Sequence, residues 1–413
     1  MHTGLLDILR CPFCGGRLEL VTTLFHETDT DRVRNGVLGC ECCTFPVVDG
    51  IPVMHLNAVT SAAREHITSG NTAAALLAMI GVSDPDRLEQ VAAAVASPAS
   101  TYRAIVDALG PGIEGGYFLY RFSDPTFVVA DAVVRAVAGT VLAQGGRALD
   151  VCGGSGHLTR TLTSITPAPV LADLFFAKIW LAKRFTAPGA VPVCCDANGT
   201  LTFARGAFAF AMCCDALMYI WQKRQLLGEM SRAVDGTANG TVLINHTHNQ
   251  LVWSASHGDT LTPAGYRGLF ETSTPRVFGE SSLFTDVVQG DTLDLSRTEP
   301  VEALDTEVAL TLVSSPVEAV FRRHPLEAPR STGGSWRLNP LYAVEARDGQ
   351  ILGTLTFPDE EYENEYGACR AYLPSTVQLD ASALQAAEQG TVPESLAEFV
   401  RRRVLIELPR QFT

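Results

Sequence analysis

The residues with the clearest chemical potential lie in Ala148-Leu149-Asp150-Val151-Cys152-Gly153-Gly154-Ser155-Gly156-His157. An apolar run ends in a carboxylate, and a glycine-rich turn then opens into a segment that reads as helix. Glycines let backbone approach a ligand closely, and a helix start offers unpaired N–H groups. A doubly wound α/β domain presents a nucleotide-like cofactor in this way. The carboxylate selects among such cofactors, because it repels the pyrophosphate of a dinucleotide and attracts a ligand carrying an ammonium and a sulfonium. The glycines agree: counting from Gly154-x-Gly156, the third glycine of a dinucleotide fingerprint falls at Thr159.

A second group with chemical potential is Asn245-His246-Thr247-His248-Asn249, at the carboxyl end of an apolar strand, with His257 in the loop that follows. Imidazole titrates near neutrality, so any of the three rings is a candidate to take a proton, and His246 is the one best fixed by the strand end. The competing reading is that these side chains satisfy loop backbone groups. A third group is made of cysteines. Cys11-Pro12-Phe13-Cys14 and Cys40-Glu41-Cys42-Cys43 face each other as two knuckles, and four thiolates close a structural zinc site with no open position for chemistry. Cys11, Cys14, Cys40 and Cys43 are the expected ligands, with Cys42 competing for the fourth place.

These groups need a scaffold, and alternating patterns supply one. Val170-Leu171-Ala172-Asp173 is a short strand ending in an acid, 23 residues after Asp150, where a second-strand carboxylate meets a ribose. Val191–Ala197 reads as a third strand and its exit, Phe208–Cys214 as a central parallel strand, and Thr241–Asn245 as a fifth. Right-handed crossovers bring the carboxyl ends of these strands to one edge, so Asp150, Asp173, Asp196 and Asp215 line one crevice. Thr292–Leu295 and Ala309–Ser314 are expected as antiparallel sixth and seventh strands. Arg347-Asp348-Gly349-Gln350 is expected to turn a later hairpin.

The glycine turn resembles the first motif of class I S-adenosylmethionine-dependent methyltransferases, an apolar strand, an acid and then G-x-G-x-G, with Cys152 here in place of the first glycine. The resemblance runs over roughly residues 130 to 250. It implies a cofactor site made of Asp150, Cys152, Gly153, Gly154, Ser155, Gly156, His157, Asp173, Leu174, Asp196, Ala197 and Asp215. Within it Asp196 accepts from the adenine amino group and Asp215 stands where the family places residues facing the transferable methyl. Residues 4 to 57, with Leu9-Arg10-Cys11-Pro12 and Phe45-Pro46-Val47-Val48-Asp49-Gly50-Ile51-Pro52-Val53-Met54, resemble Trm112-like zinc-binding domains, which accompany methyltransferases and carry no reaction of their own.

The expected fold class is therefore α/β: a Rossmann-like class I methyltransferase sheet with an N-terminal zinc ribbon, a helical connector and a C-terminal α+β extension. The expected units are residues 1–57 as ribbon, 58–128 as connector or lid, 129–315 as the cofactor-binding domain and 316–413 as a substrate cover or dimer contact. Composition narrows the partners. With 413 residues, 46% hydrophobic and 18% charged, the chain builds full cores. A net charge of -14 argues against nucleic acid, and Arg401-Arg402-Arg403 reads as a solvated helix face. No charged start precedes an apolar stretch at the N-terminus, no unbroken apolar run reaches membrane-spanning length, and the eleven cysteines fit metal binding and buried thiols, so a cytoplasmic chain is expected. The resemblance implies methyl transfer from S-adenosylmethionine to an oxygen or nitrogen of a small molecule or modified peptide in specialised metabolism, with structural Zn2+ and a homodimer as a further expectation. An RNA-modifying enzyme and a non-catalytic scaffold are the alternatives.

Overall fold

A computed structural model describes the chain except residues 22–24, 83, 111–114, 255–257 and 327–330 and the side chains of 115–117. Its centre is a seven-stranded sheet of β1 (Ala148–Val151), β2 (Val170–Asp173), β3 (Val191–Cys194), β4 (Phe210–Cys214), β5 (Thr241–His248), β6 (Arg276–Gly279) and β7 (Ala309–Ser314). The spatial order is β3-β2-β1-β4-β5-β7-β6. Neighbours from β3 to β5 pair in parallel, and β7 runs antiparallel to both β5 and β6. The order reverses between β1 and β4, so a crevice opens at the carboxyl ends of those strands. This order, with a single reversed strand near one edge, is a doubly wound α/β sheet of the Rossmann-like kind the alternating patterns predict.

The strands are buried on both faces, as their unbroken apolar sequences require. One face packs on α1 (Pro125–Leu142), which starts where Asp124 Oδ1 accepts from the Phe127 N–H at 2.6 Å and Pro125 presets the first turn. This helix is long and apolar enough by length and composition to cross a membrane, and most of it is buried inside the protein. α2 (His157–Thr163) and α3 (Phe176–Leu181) follow β1 and β2, and α4 (Lys223–Val234) precedes β5.

The expected sixth strand is corrected. Thr292–Asp294 pairs with Arg323–Pro325 in a separate small ladder, and Arg276–Gly279 takes the place in the central sheet. Four residues bounded by an arginine and a glycine carry too little apolar pattern to announce a strand, and only the partner β7 gives it a face to pack on.

The N-terminal residues form a five-stranded antiparallel sheet that docks on the open edge at β3. Val53 bridges Cys194 in parallel, and the Met54 N–H donates to Cys194 O at 2.6 Å. The Arg10 N–H donates to Thr202 O, and Asp49 accepts from Lys183 and Trp180. Edge strands expose unpaired backbone groups, and this sheet covers them. At the other end of the chain, Tyr342–Arg347 and Gln350–Leu355 form the expected hairpin, with Asp348 and Gly349 at positive φ in its turn. The last residues return to the connector: Gln411 O and Phe412 O accept from the Tyr102 and Arg103 N–H groups, and the Phe412 ring stacks on Tyr102 at 4.6 Å.

Candidate active site

The glycine turn is built around a buried acid. Asp150 is 1% exposed beneath the turn, and Thr159 Oγ1 of α2 donates to its Oδ2 at 2.6 Å. Burial pushes its carboxyl up to about 7, against the Thr159 bond and with help from the charge of Asp173. The turn itself is half-buried at Cys152, Gly153 and Gly154, whereas Ser155 and His157 point into the protein. Ser155 Oγ lies 2.9 Å from the Tyr102 hydroxyl, and His157 Nε2 lies 3.1 Å from Phe118 O inside a box of Phe118, Phe122, Tyr102 and Phe412 rings. Burial holds His157 down at about 3, so this ring is neutral.

Asp173 ties the turn to the next strand end. Its Oδ2 accepts from the Gly154 N–H at 2.9 Å and its Oδ1 from the Phe175 N–H at 2.8 Å. Leu174 and Phe175 beside it are exposed. Asp196, past β3, accepts from the Asn198 N–H at 2.8 Å, and Ala197 is buried next to it. All four expected carboxylates therefore stand at the carboxyl ends of β1 to β4, three partly or wholly tied into local structure.

The fourth, Asp215, belongs to a polar cluster that joins three segments. Arg121 donates to Asp215 Oδ2 at 2.9 Å and to Asp124 at 3.2 Å, both from a nearly buried guanidinium. Asp215 lies within 4.8 Å of His246 and His248 at the end of β5. Their Nε2 atoms are 3.1 Å apart. Glu280, the first residue of α5 (Glu280–Gln289), holds His246 twice, with Oε2 at 2.6 Å from Nδ1 and Oε1 accepting the backbone N–H at 2.8 Å. Thr311 Oγ1 on β7 donates to the same Oε1, and Asn245 donates to Thr311. On the other ring, His248 Nδ1 lies 3.0 Å from Ser254 Oγ.

The electrostatics differ between the two rings. Burial disfavours charge on His246, but Glu280 overrides it and holds the ring up at about 9; burial and then the His246 charge hold His248 down at about 4. One proton placed between the two Nε2 atoms satisfies both rings. His246, the ring expected to act as base, has Glu280 at one ring nitrogen and His248 at the other. His257 lies outside the described residues.

Arg121, Asp124, Glu280 and Thr311 did not stand out in the sequence. Asp124 and Glu280 stand at helix starts, and only the fold brings them to β5. The C-terminal part also reaches this cluster. α6 (Glu360–Tyr366) carries Tyr366, whose hydroxyl burial pushes far up, with the charges of Asp124, Arg121 and Asp215 also acting on it.

The thiol cluster brings Cys42, the competitor for the fourth place, together with three of the expected ligands. Cys11, Cys14, Cys40 and Cys42 offer sulfurs within 4.8 Å of one another, at 3.6 Å for Cys11–Cys42 and Cys40–Cys42 and 3.8 Å for Cys14–Cys40. Tetrahedral Zn–S bonds of about 2.3 Å require sulfurs about 3.8 Å apart, so the donor set fits Zn2+. Cys43 has its Sγ 3.3 Å from Cys42 Sγ but does not supply one of the four mutually close sulfurs. Its carbonyl accepts from the Cys40 N–H at 3.0 Å to close the turn, and its side chain packs against the ribbon core.

No protein-family model matches the chain. Over 54 residues it is 43% identical to a UPF0434 protein of Bordetella pertussis, a match spanning 13% of this chain and 73% of that protein. A UPF0434 protein of Bordetella parapertussis gives the same figures. Among solved structures, a methyltransferase complex with the Haloferax volcanii Trm112 activator is similar at 14% identity over 52% of this chain and 96% of that chain, with a TM-score of 0.34. A SAM-dependent methyltransferase from Aquifex aeolicus is similar at 11% identity over 49% and 98%, with a TM-score of 0.35.

Proposed function

The chain belongs to the UPF0434 family through its N-terminal domain, and we propose that this domain is the built-in structural partner of an S-adenosylmethionine-dependent methyltransferase acting on a small molecule. The observation that carries the reading is the row of carboxylates at the carboxyl ends of β1 to β4, on a sheet whose order reverses beside the glycine turn. In this reading the backbone of Cys152 to Gly154 meets the amino acid part of the cofactor, with the buried carboxyl of Asp150 behind it. Asp173 binds the ribose hydroxyls. Asp196 takes the adenine amino group, and exposed Leu174 and Phe175 shelter the base.

The acceptor end is the cluster of Asp215, His246, His248 and Glu280. Methyl transfer from a sulfonium needs an aligned nucleophile more than an activated donor, so the cluster's task is to hold the acceptor and take charge of its proton. Two loops frame it. Exposed Tyr219 and Trp221 follow β4, exposed Leu251 and Trp253 follow β5, and the Asp259 N–H to Met218 O bond ties the loops together. Three aromatics and a leucine around a buried polar patch fit an acceptor with an apolar body and one polar reacting group. Zn2+ at Cys11, Cys14, Cys40 and Cys42 would hold the ribbon that covers β3.

The test is calorimetric titration with S-adenosylmethionine and S-adenosylhomocysteine. Micromolar binding of both supports the reading, and no binding of either overturns it. Transfer of a labelled methyl into the small-molecule fraction of an extract, and not into its RNA, supports the acceptor class.

A further inference from the structure

We propose that Asp215, His246 and His248 bind a divalent transition-metal ion at the acceptor end of the crevice, distinct from the four-thiol site. The inference deepens the methyltransferase reading and rests on it for the role of the ion.

Three observations carry it. First, the donor atoms converge: one atom from each of the three residues lies within 4.8 Å of the others, and the two Nε2 atoms are 3.1 Å apart. Two nitrogens on one ion at bonds of about 2.0–2.1 Å stand about 2.9–3.4 Å apart, depending on coordination geometry. Second, the far nitrogens are already occupied. His246 Nδ1 lies against Glu280 Oε2 at 2.6 Å, and His248 Nδ1 against Ser254 Oγ at 3.0 Å. Metal-bound imidazoles have this outer arrangement, which fixes the ring and turns the other nitrogen to the ion. Third, the surroundings are rich in carboxylates. Among the described residues, Asp124, Asp215 and Glu280 face one guanidinium, Arg121, which holds Asp124 and Asp215 Oδ2. A divalent cation takes the place of the proton between the two Nε2 atoms and leaves both imidazoles neutral.

The backbone is shaped for the same convergence. Asp215 and His246 both hold left-handed φ, 53° and 51°, and β5 breaks register against β7 between Ile244 and Thr247. Neither residue is a glycine, and non-glycine residues held there concentrate at functional sites.

Two imidazoles and one carboxylate leave coordination positions open, unlike the closed thiol set. The class of acceptor this implies is a molecule with a hydroxyl that can enter an open position. Beside the cation that hydroxyl loses its proton to solvent more readily. Its oxygen then forms the O–CH3 bond as the S–CH3 bond of the sulfonium breaks. The electron pair of the broken bond stays on sulfur, so anion and sulfonium become ether and thioether.

The experiment uses the full chain, dialysed against Zn2+ and analysed for metal, then loaded with Co2+ for its visible spectrum. The wild type is expected to hold one ion at the thiolates and a second here, the second giving bands of nitrogen and oxygen ligation. His246→Asn, chosen because Asn tolerates left-handed φ, and His248→Gln lose the second ion and keep the first. Glu280→Gln binds it about 10- to 100-fold more weakly. A wild type with the thiolate ion alone overturns the proposal, as does a second ion retained by both histidine variants. S-adenosylhomocysteine titrations on the same samples separate the failures: cofactor binding without a second ion sinks the metal site only, and a second ion without cofactor binding sinks the methyltransferase role.

Discussion

Glu280 grips His246 at two points, with Oε2 2.6 Å from Nδ1 and Oε1 accepting the backbone N–H at 2.8 Å. The acid sits on α5, outside the five parallel strands' crossovers, and fixes a ring on the last of them. Removing one partner of a buried ion pair costs about 3–5 kcal/mol, since it leaves the other charge uncompensated. Glu280→Ala is therefore expected to lower stability by that order in urea denaturation. Glu280→Gln keeps the shape and one acceptor. It is expected to lose less stability and to lower kcat for methyl transfer while S-adenosylhomocysteine affinity stays within about twofold, a change of less than about 0.5 kcal/mol.

Asp173 is expected to be the side chain on which cofactor affinity most depends. It holds the Gly154 and Phe175 N–H groups and, in the proposed reading, the ribose. Hydrogen bonds to a charged group contribute about 1.5–3 kcal/mol each, so Asp173→Ala should weaken S-adenosylhomocysteine about 10- to 100-fold by calorimetry. An unchanged affinity would remove Asp173 from the site.

The thiol cluster makes a discriminating pair of variants. Cys42 lies 3.6 Å from both Cys11 and Cys40 sulfurs, and Cys43 serves the turn through its backbone. Cys42→Ser is expected to lose tightly held zinc and to loosen the ribbon from β3, seen as faster hydrogen exchange at Met54. Cys43→Ser is expected to keep the zinc. The opposite pattern would restore Cys43 as the ligand.

Much of this layout was legible because parallel strands buried on both faces write themselves as apolar runs, and four of those runs end in or near an acid. The sixth strand was not legible, since Arg276–Gly279 takes its place from β7 and not from its own pattern. Nor was the pairing of the histidines. Spacing placed His246 and His248 at one strand end, but Glu280 and Arg121, which surround them, come from helix starts distant in the chain. The two adjacent cysteines differ only by the direction a tight turn gives them, which spacing does not encode.

Asp150 implies a pH-dependent stability of unusual sign. Burial raises its carboxyl to about 7 in the folded chain, against about 4 unfolded, so folding takes up a proton between those values. The contribution is fully present below about pH 4 and is lost as pH rises through about 7, by a few kcal/mol at most. Wild type should therefore show this loss between about pH 4 and pH 7 in urea midpoints, and Asp150→Asn, which can still accept from Thr159, should lack it. Parallel curves for the two proteins would mean that the acid stays ionised under the turn.

The same buried acid determines where the turn needs a glycine. A Cβ on Gly153 would stand 2.6 Å from Asp150 Oδ2 and 2.4 Å from Leu171 Cδ1, closer than real Cβ contacts come. Neither neighbour yields easily, as Thr159 holds the carboxylate and Leu171 is fully buried in β2. Cys152, by contrast, occupies left-handed backbone at φ 59°, where a side chain costs about 1–2 kcal/mol. Glycine there would relieve that strain and give back about 0.5–1 kcal/mol through greater freedom when unfolded. Cys152→Gly should then change stability by no more than about 1 kcal/mol, whereas Gly153→Ala should cost about 1–3 kcal/mol by overpacking. Gly153→Ala should also weaken S-adenosylhomocysteine, because the half-buried backbone of the turn must shift to make room. If the two variants prove equally stable, the acid does not press on the turn, and its burial has another cause.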